Sequence, residues 1–305
     1  MVRPGLVGAA VICGMLAAGP YVLVLTGSAG SMILIYLAQL PLFAAGLWLG
    51  TGACALAGLV AALVLAGTGS LLTAGVFAAL NVFPVVVLIR QSLLARTAPG
   101  DVVEWYPPGL LAAWLTGLGL VAVAGMLVFL GGPQGMEGAL REVLAPLFDR
   151  RAEEIAPEHN ELLASIAFIL PAIVATSWMV MTTTNGCLAQ GLLARFGASW
   201  RPSPDLAALS LPAWIMMVLA VAAAAILVGG TARFVGVNVT IVLAVPFCLA
   251  GLAVLHTLAR RFPRPTVTLV TFYVLAAVFG WPLLVVALLG LLDSPLGLRR
   301  RFAQP

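Results

Sequence analysis

The chain has 305 residues, of which 62% are hydrophobic and only 9% charged, with 15 basic and 11 acidic side chains and a formal net charge of +4. Soluble domains devote about one quarter of their residues to charge, so an ordinary soluble domain is excluded. Lysine is absent, and the arginines stand in short turns between apolar runs, where the positive-inside rule accounts for them without any nucleic-acid partner.

Between Arg3 and Arg90 lie 86 residues without Asp, Glu, Lys, Arg or His. A membrane-spanning helix needs about 20 apolar residues, so this block predicts four spans, about Gly5 to Leu25, Ser31 to Leu49, Gly52 to Leu65 and Leu71 to Ile89. The third becomes long enough if Thr51 to Gly67 is helical. The apolar run after Arg3 reads as an uncleaved first span, because similar segments follow at once. A connector, Arg90 to Pro108, carries Trp105 and Tyr106, aromatics suited to the headgroup level. The fifth span is expected at Gly109 to Gly131. The polar insertion Gly132 to Glu161 then places Met136, Leu140, Val143, Leu144, Leu147, Phe148 and Ile155 near helical spacing, which predicts an amphipathic surface helix bent at Pro146.

The sixth apolar segment, Glu161 to Phe196, would reach about 54 Å as one helix against a hydrocarbon core of about 30 Å. It must project or break, and Asn185-Gly186 is the expected break because that pair favours turns. Ser203-Pro204-Asp205 reads as N-cap, first helical position and acidic first turn of a short interfacial helix. The seventh span is expected at Leu211 to Gly229 and the eighth at Val237 to Leu258. The last run, Thr266 to Leu292, crossing once would strand Arg299, Arg300 and Arg301 outside, so a hairpin broken at Gly280-Trp281-Pro282 is predicted. The expectation is an all-α integral membrane protein, one polytopic bundle of about nine segments. Residues 5–131 hold five spans, 132–161 an outer-face insertion, 161–292 the remaining spans and 293–305 a basic cytoplasmic tail. The Ala, Gly, Leu, Val and Arg bias suggests a bacterium, hence the cytoplasmic (inner) membrane, with the N-terminus inside.

No ionised group falls within the spans, which argues against proton-relay chemistry there. His159 and His256 sit toward opposite faces, so no shared metal is expected. The acidic cluster Glu153, Glu154, Glu158, His159 and Glu161 fits a helix N-terminus better than a cation site. Cys13, Cys54, Cys187 and Cys248 are scattered without ligand spacing. No phosphate-cradling glycine loop with a lysine exists. Neither a cofactor nor a metal is expected, and no catalytic residues are assigned. Uncharged polar side chains at membrane depth are the better clue, since each needs a partner in the bundle or a ligand. Gln39, Asn81, Thr176, Ser177, Trp178, Asn185 and Asn238 are the ligand-binding candidates, with interhelical hydrogen bonding the alternative for each. Arg195, Arg201, Arg299, Arg300 and Arg301 are candidates for lipid phosphate. Stripes such as Ala10, Gly14 and Ala18, or Ala53, Ala57 and Ala61, point to close internal helix packing.

The segments NGCLAQGLLARFG and RPSPDLAALSLPAW, between Asn185 and Trp214, with EWYPPG at Glu104 to Gly109 and the terminal GLLDSPLGLRRR, resemble the YybS-like family of bacterial membrane proteins. The early spans are similar to the membrane-embedded substrate-capture components of energy-coupling-factor transporters. That resemblance implies capture or transport of a small molecule without an ATPase of the chain's own. The competing readings are a scaffold or assembly partner for other membrane proteins and, third, an outer-face enzyme acting on a lipid-linked substrate. The expected partners are membrane lipids and either a small-molecule ligand or another membrane protein.

Overall fold

In a computed structural model, which describes residues 4–25, 27, 31–144 and 157–299, the uncharged runs are helices. With no water to serve the backbone in a hydrocarbon core, a helix satisfies its polar groups internally. Among the described residues, seven helices are long and apolar enough to cross a membrane: Leu6–Val24, Ser31–Leu49, Thr51–Thr68, Leu71–Ser92, Pro108–Leu130, Glu161–Arg195 and Gly230–Ala259. A shorter apolar helix, Ala213–Val228, and a final pair bent by 117° make up the approximate nine. The third span does extend over Thr51–Thr68, as its length required.

The chain divides into two compact units. Unit 1 comprises Met1–Leu111 and Val180–Asp205; unit 2 comprises Ala112–Met179 and Leu206–Pro305. Unit 1 is built from α1 (Pro4–Leu25), α2 (Ser31–Ile35), α3 (Leu40–Leu49), α4 (Thr51–Thr68), α5 (Leu71–Phe77) and α6 (Phe83–Ser92). To these are added strands β1 (Ala95–Ala98) and β2 (Val102–Trp105), and the first residues of α7 (Pro108–Leu130). Small residues set its packing. A Cβ on Gly14 would stand 2.4 Å from the Ala57 carbonyl oxygen, so α1 and α4 touch through their backbones, with Ala10, Ala18, Ala57 and Ala61 buried beside them. Gly50, at φ 97°, lets α3 pass into α4 without a loop.

Unit 2 contains most of α7, then α8 (Pro133–Leu144), the first part of α9 (Pro157–Arg195), α10 (Ala213–Val228), α11 (Gly230–Ala259), α12 (Pro265–Phe279) and α13 (Pro282–Leu296). The amphipathic helix exists over Pro133–Leu144 and buries Met136 against Ala167 and Phe234, with Leu140 packed alongside. Pro146, Leu147, Phe148, Glu153, Glu154 and Ile155 lie outside the described residues. The break at Gly280-Trp281-Pro282 occurs where expected, since Gly280 takes φ 70° and Pro282 starts the next helix.

Two local expectations are corrected, and the connector after α6 takes a structure that the sequence reading left open. Helix α9 runs unbroken through Asn185-Gly186 over 39 residues, about 58 Å at helical rise. The turn preference of that pair is overridden because the Asn185 side-chain amide donates to the Met181 carbonyl one turn back, at 2.8 Å, holding the residue in the helix. Gly186 packs against the Phe43 ring. The connector after α6 is a two-stranded antiparallel ribbon whose register sets Arg96 opposite Glu104; these pair at 2.6 Å. The turn Pro99-Gly100-Asp101 closes it, with Gly100 at φ 87°. Finally, Ser203-Pro204-Asp205 leads into a 3₁₀ turn, Leu206–Ala208, rather than a longer helix.

Candidate functional site

Two prolines shape the polar centre of unit 1. Pro41 has no N–H and its ring crowds the preceding turn, so the chain between α2 and α3 tightens. Tyr36, Leu37, Ala38 and Leu40 donate to carbonyls three residues back, at 2.9–3.2 Å. Leu40 donates to the Leu37 carbonyl rather than to that of Tyr36, and the Tyr36 carbonyl accepts from Asn185 Nδ2 at 2.6 Å. Pro84 acts likewise four residues after Leu80, and there Ala78–Val82 widens into a π-helical turn between α5 and α6. The Leu80 carbonyl then accepts a long 3.5 Å contact from Gln39 Nε2. Interruptions of both kinds within helices commonly mark functional positions.

From these breaks a chain of polar groups extends. Gln39 Nε2 donates to Asn81 Oδ1 at 3.3 Å, and Asn81 Nδ2 donates to the Tyr21 hydroxyl at 3.1 Å. Tyr21 in turn meets the edge of Phe77, with centroids 5.0 Å apart. Gln39 is 0% exposed, while Thr182 and Asn185 are each 1% exposed. Gln39 Oε1, Asn185 Oδ1 and Thr182 Oγ1 are nevertheless buried without a hydrogen-bond partner. Leaving such a group unmade costs about 1–3 kcal/mol. Gln39 lies one 3₁₀ turn beyond Tyr36, where side chains eclipse, and Thr182 lies one helical turn before Asn185. Asn185 thus joins α9 to the α2–α3 break, with Gln39 one turn along the break and Thr182 one turn along α9.

Of the ligand-binding candidates, Gln39, Asn81 and Asn185 thus belong to one cluster in unit 1. Thr176, Ser177, Trp178 and Asn238 belong to unit 2. Asn238 has its needs met there. Its Oδ1 accepts from the Ala172 N–H at 2.9 Å, and its Nδ2 donates to the Phe168 and Phe234 carbonyls at 2.8 and 2.9 Å. Phe168 O and Ala172 N–H are the pair an uninterrupted helix bonds to each other, and Pro171 stands between them. Asn238 bridges the distortion. Asn238→Leu should destabilise the protein by about 1–2 kcal/mol, read as a lowered unfolding midpoint in detergent. Thr176 and Thr240 each leave a buried hydroxyl unpartnered, while Ser177 and Trp178 are half-buried.

The arginine candidates separate sharply. Arg195 is exposed at the end of α9. Arg201 is 4% exposed and turned inward, its guanidinium donating to the Ser92 carbonyl at 3.0 Å and the Tyr106 carbonyl at 2.8 Å. Gln190 Nε2 holds the Arg201 carbonyl at 2.9 Å, and Arg201 Nε is unpartnered. Burial pushes its pKa below the ordinary arginine value. Arg299 pairs with buried Asp293 at 2.7 Å and, through its own N–H at 2.9 Å, caps the end of α13. Arg300 and Arg301 lie outside the described residues, as do the side chains of Glu158 and His159. Among the described residues no group of three or more His, Cys, Asp or Glu is placed to hold a metal ion.

Sequence reasoning placed neither Tyr21 nor Thr182 among the candidates. The available signal was the spacing of amide to proline, Gln39 two residues before Pro41 and Asn81 three before Pro84, since a proline releases a carbonyl that a nearby amide can serve. A family model described as "Predicted membrane protein (DUF2232)" matches residues 22–294, and the chain belongs to that family. The match contains Gln39, Asn81, Thr182, Asn185 and Arg201, and begins one residue after Tyr21. No curated protein and no solved structure matches the chain.

Proposed function

We propose that this membrane protein captures a small molecule in unit 1, at the polar cluster of Tyr21, Gln39, Asn81, Thr182 and Asn185, and that it does so without an energy source of its own. The observation that carries this reading is the set of three buried, unpartnered oxygens, two of amides and one of a hydroxyl, beside two helix interruptions. Amides that served packing alone would be satisfied, as Asn238 is. Interrupted helices are the usual means of building a polar site at membrane depth, because irregular backbone survives there only against protein or a cavity.

Native mass spectrometry of the purified full-length protein tests it. Wild type should retain a small-molecule adduct, and Gln39→Leu should lose it. A spectrum showing a bound protein chain and no small molecule would instead support the scaffold reading.

We further propose a bacterial inner membrane with a cytoplasmic N-terminus. The arginine distribution supports this orientation: Arg90, Arg96, Arg195, Arg201, Arg260, Arg261 and Arg264 then fall on one side, and the bend at Gly280 returns Arg299 to it. A cysteine added after Pro305 in a background lacking the four natural cysteines should be labelled by an impermeant maleimide only once the cytoplasmic side is opened. Labelling of intact cells would reverse the orientation.

A further inference from the structure

Resting on that capture site, we infer that its ligand is an uncharged flat ring bearing N–H or O–H donors. The direction of every amide in the cluster carries the argument. Asn185 faces two backbone carbonyls, Tyr36 O and Met181 O, which only accept, so its NH₂ must point to them and Oδ1 is what remains open. Gln39 turns its NH₂ toward Leu80 O and Asn81 Oδ1, which leaves Oε1 open. Asn81 faces that NH₂ with its oxygen and spends its own NH₂ on Tyr21. The two open amide positions are therefore acceptors, while the Thr182 hydroxyl can accept or donate. A ligand that completes the two amides must donate.

Charge is excluded by what surrounds the cluster. Residues 4–89 and 162–194 contain no Asp, Glu, Lys, Arg or His, so an ammonium or a carboxylate would enter without a counter-charge. The ring follows from the apolar side of the same cluster: Tyr21 and Phe77 stand edge to face at 82°, and Phe43 lies against Gly186. Aromatic faces favour a flat partner.

Four ring probes of similar size separate the possibilities, each added at about 10 mM to the full-length protein in nanodiscs while the unfolding midpoint is recorded. Uracil, neutral with two N–H donors, should raise the midpoint by about 2–4 °C. Dimethyluracil methylated at both nitrogens, benzoate and benzylammonium should leave it within about 0.5 °C. The uracil shift should vanish in Gln39→Leu and fall by at least half in Thr182→Val. The second variant is isosteric and lies outside the Gln39–Asn81–Tyr21 chain, so it keeps the test open if the first fails to fold. An equal shift from the methylated ring overturns the need for donors; an equal shift from benzoate or benzylammonium overturns the exclusion of charge. Silence from all four probes, with a small molecule still retained in the native spectrum, overturns the assigned class and leaves capture standing. Silence together with an empty spectrum overturns both.

Discussion

Arg201→Ala should destabilise the protein by about 2–4 kcal/mol and loosen the ribbon β1–β2 more than any other element. The guanidinium bonds Ser92 O at the end of α6 and Tyr106 O just after β2, while Tyr106 N–H donates to Leu94 O at 2.9 Å. These contacts close the base of the ribbon. Hydrogen bonds to a charged group are worth about 1.5–3 kcal/mol each, and alanine leaves both carbonyls without their donor. Part of that loss is offset, because the substitution also removes a charge whose burial is itself unfavourable. Arg201→Lys should cost roughly half as much, since an ammonium reaches one carbonyl where the planar fork reaches two.

The charge cost lowers the folded-state pKa of a base. Its relief would therefore appear only as pH rises through that folded-state pKa. At neutral pH the guanidinium is protonated, so the contribution of Arg201 should not vary between about pH 6 and 9. Amide exchange across residues 94–106 is the direct readout: faster exchange there in Arg201→Ala, with α1 and α4 unchanged, is expected. Unchanged exchange in the ribbon would show that the clamp holds nothing.

What the sequence disclosed and what it hid divide along a physical line. The spans were legible because charge-free windows are enforced by the solvent, residue by residue, and need no partner to be read. The bend at Gly280-Trp281-Pro282 was legible for a similar reason, since a positive φ and a missing N–H are local properties. Asn185-Gly186 misled because its turn preference is outweighed by the bonds of Asn185 to the Met181 and Tyr36 carbonyls. The ribbon was hidden because four-residue strands such as Ala95–Ala98 carry little pattern, and its register becomes visible only when Arg96 meets Glu104. Arg201 resembled the other interfacial arginines; nothing in its neighbours announced that two carbonyls distant in sequence would converge on it. The binding candidates divided in the same way. Composition marked Gln39, Asn81, Asn185 and Asn238 equally, but spatial pairing decided that Asn238 is satisfied while Gln39 and Asn185 are not.

Gly290→Ala should cost more than the usual overpacking penalty of about 1–3 kcal/mol. A Cβ on Gly290 would stand 1.8 Å from Phe247 O and 2.6 Å from Gly251 N, and one on Gly251 would stand 1.8 Å from Val286 O. The obstructing atoms are backbone, so no rotamer change makes room and α11 and α13 must separate. Separation would strip packing from Phe247 and Val286, both buried, and from Leu243 and Ile215, which share a core cluster with Phe247. It would also withdraw α13 from the helix that anchors it, together with the Asp293 that holds Arg299.

Gly251→Ala should cost about as much, for the reciprocal reason. The double variant discriminates this explanation from two independent clashes. Once either methyl has pushed the helices apart, the second enters space already opened, so the double variant should cost clearly less than the sum of the singles, by about 1 kcal/mol or more. Equilibrium unfolding of the four proteins in mixed micelles measures that coupling. Simple additivity would mean that each glycine is accommodated on its own and that the two helices do not move as rigid bodies.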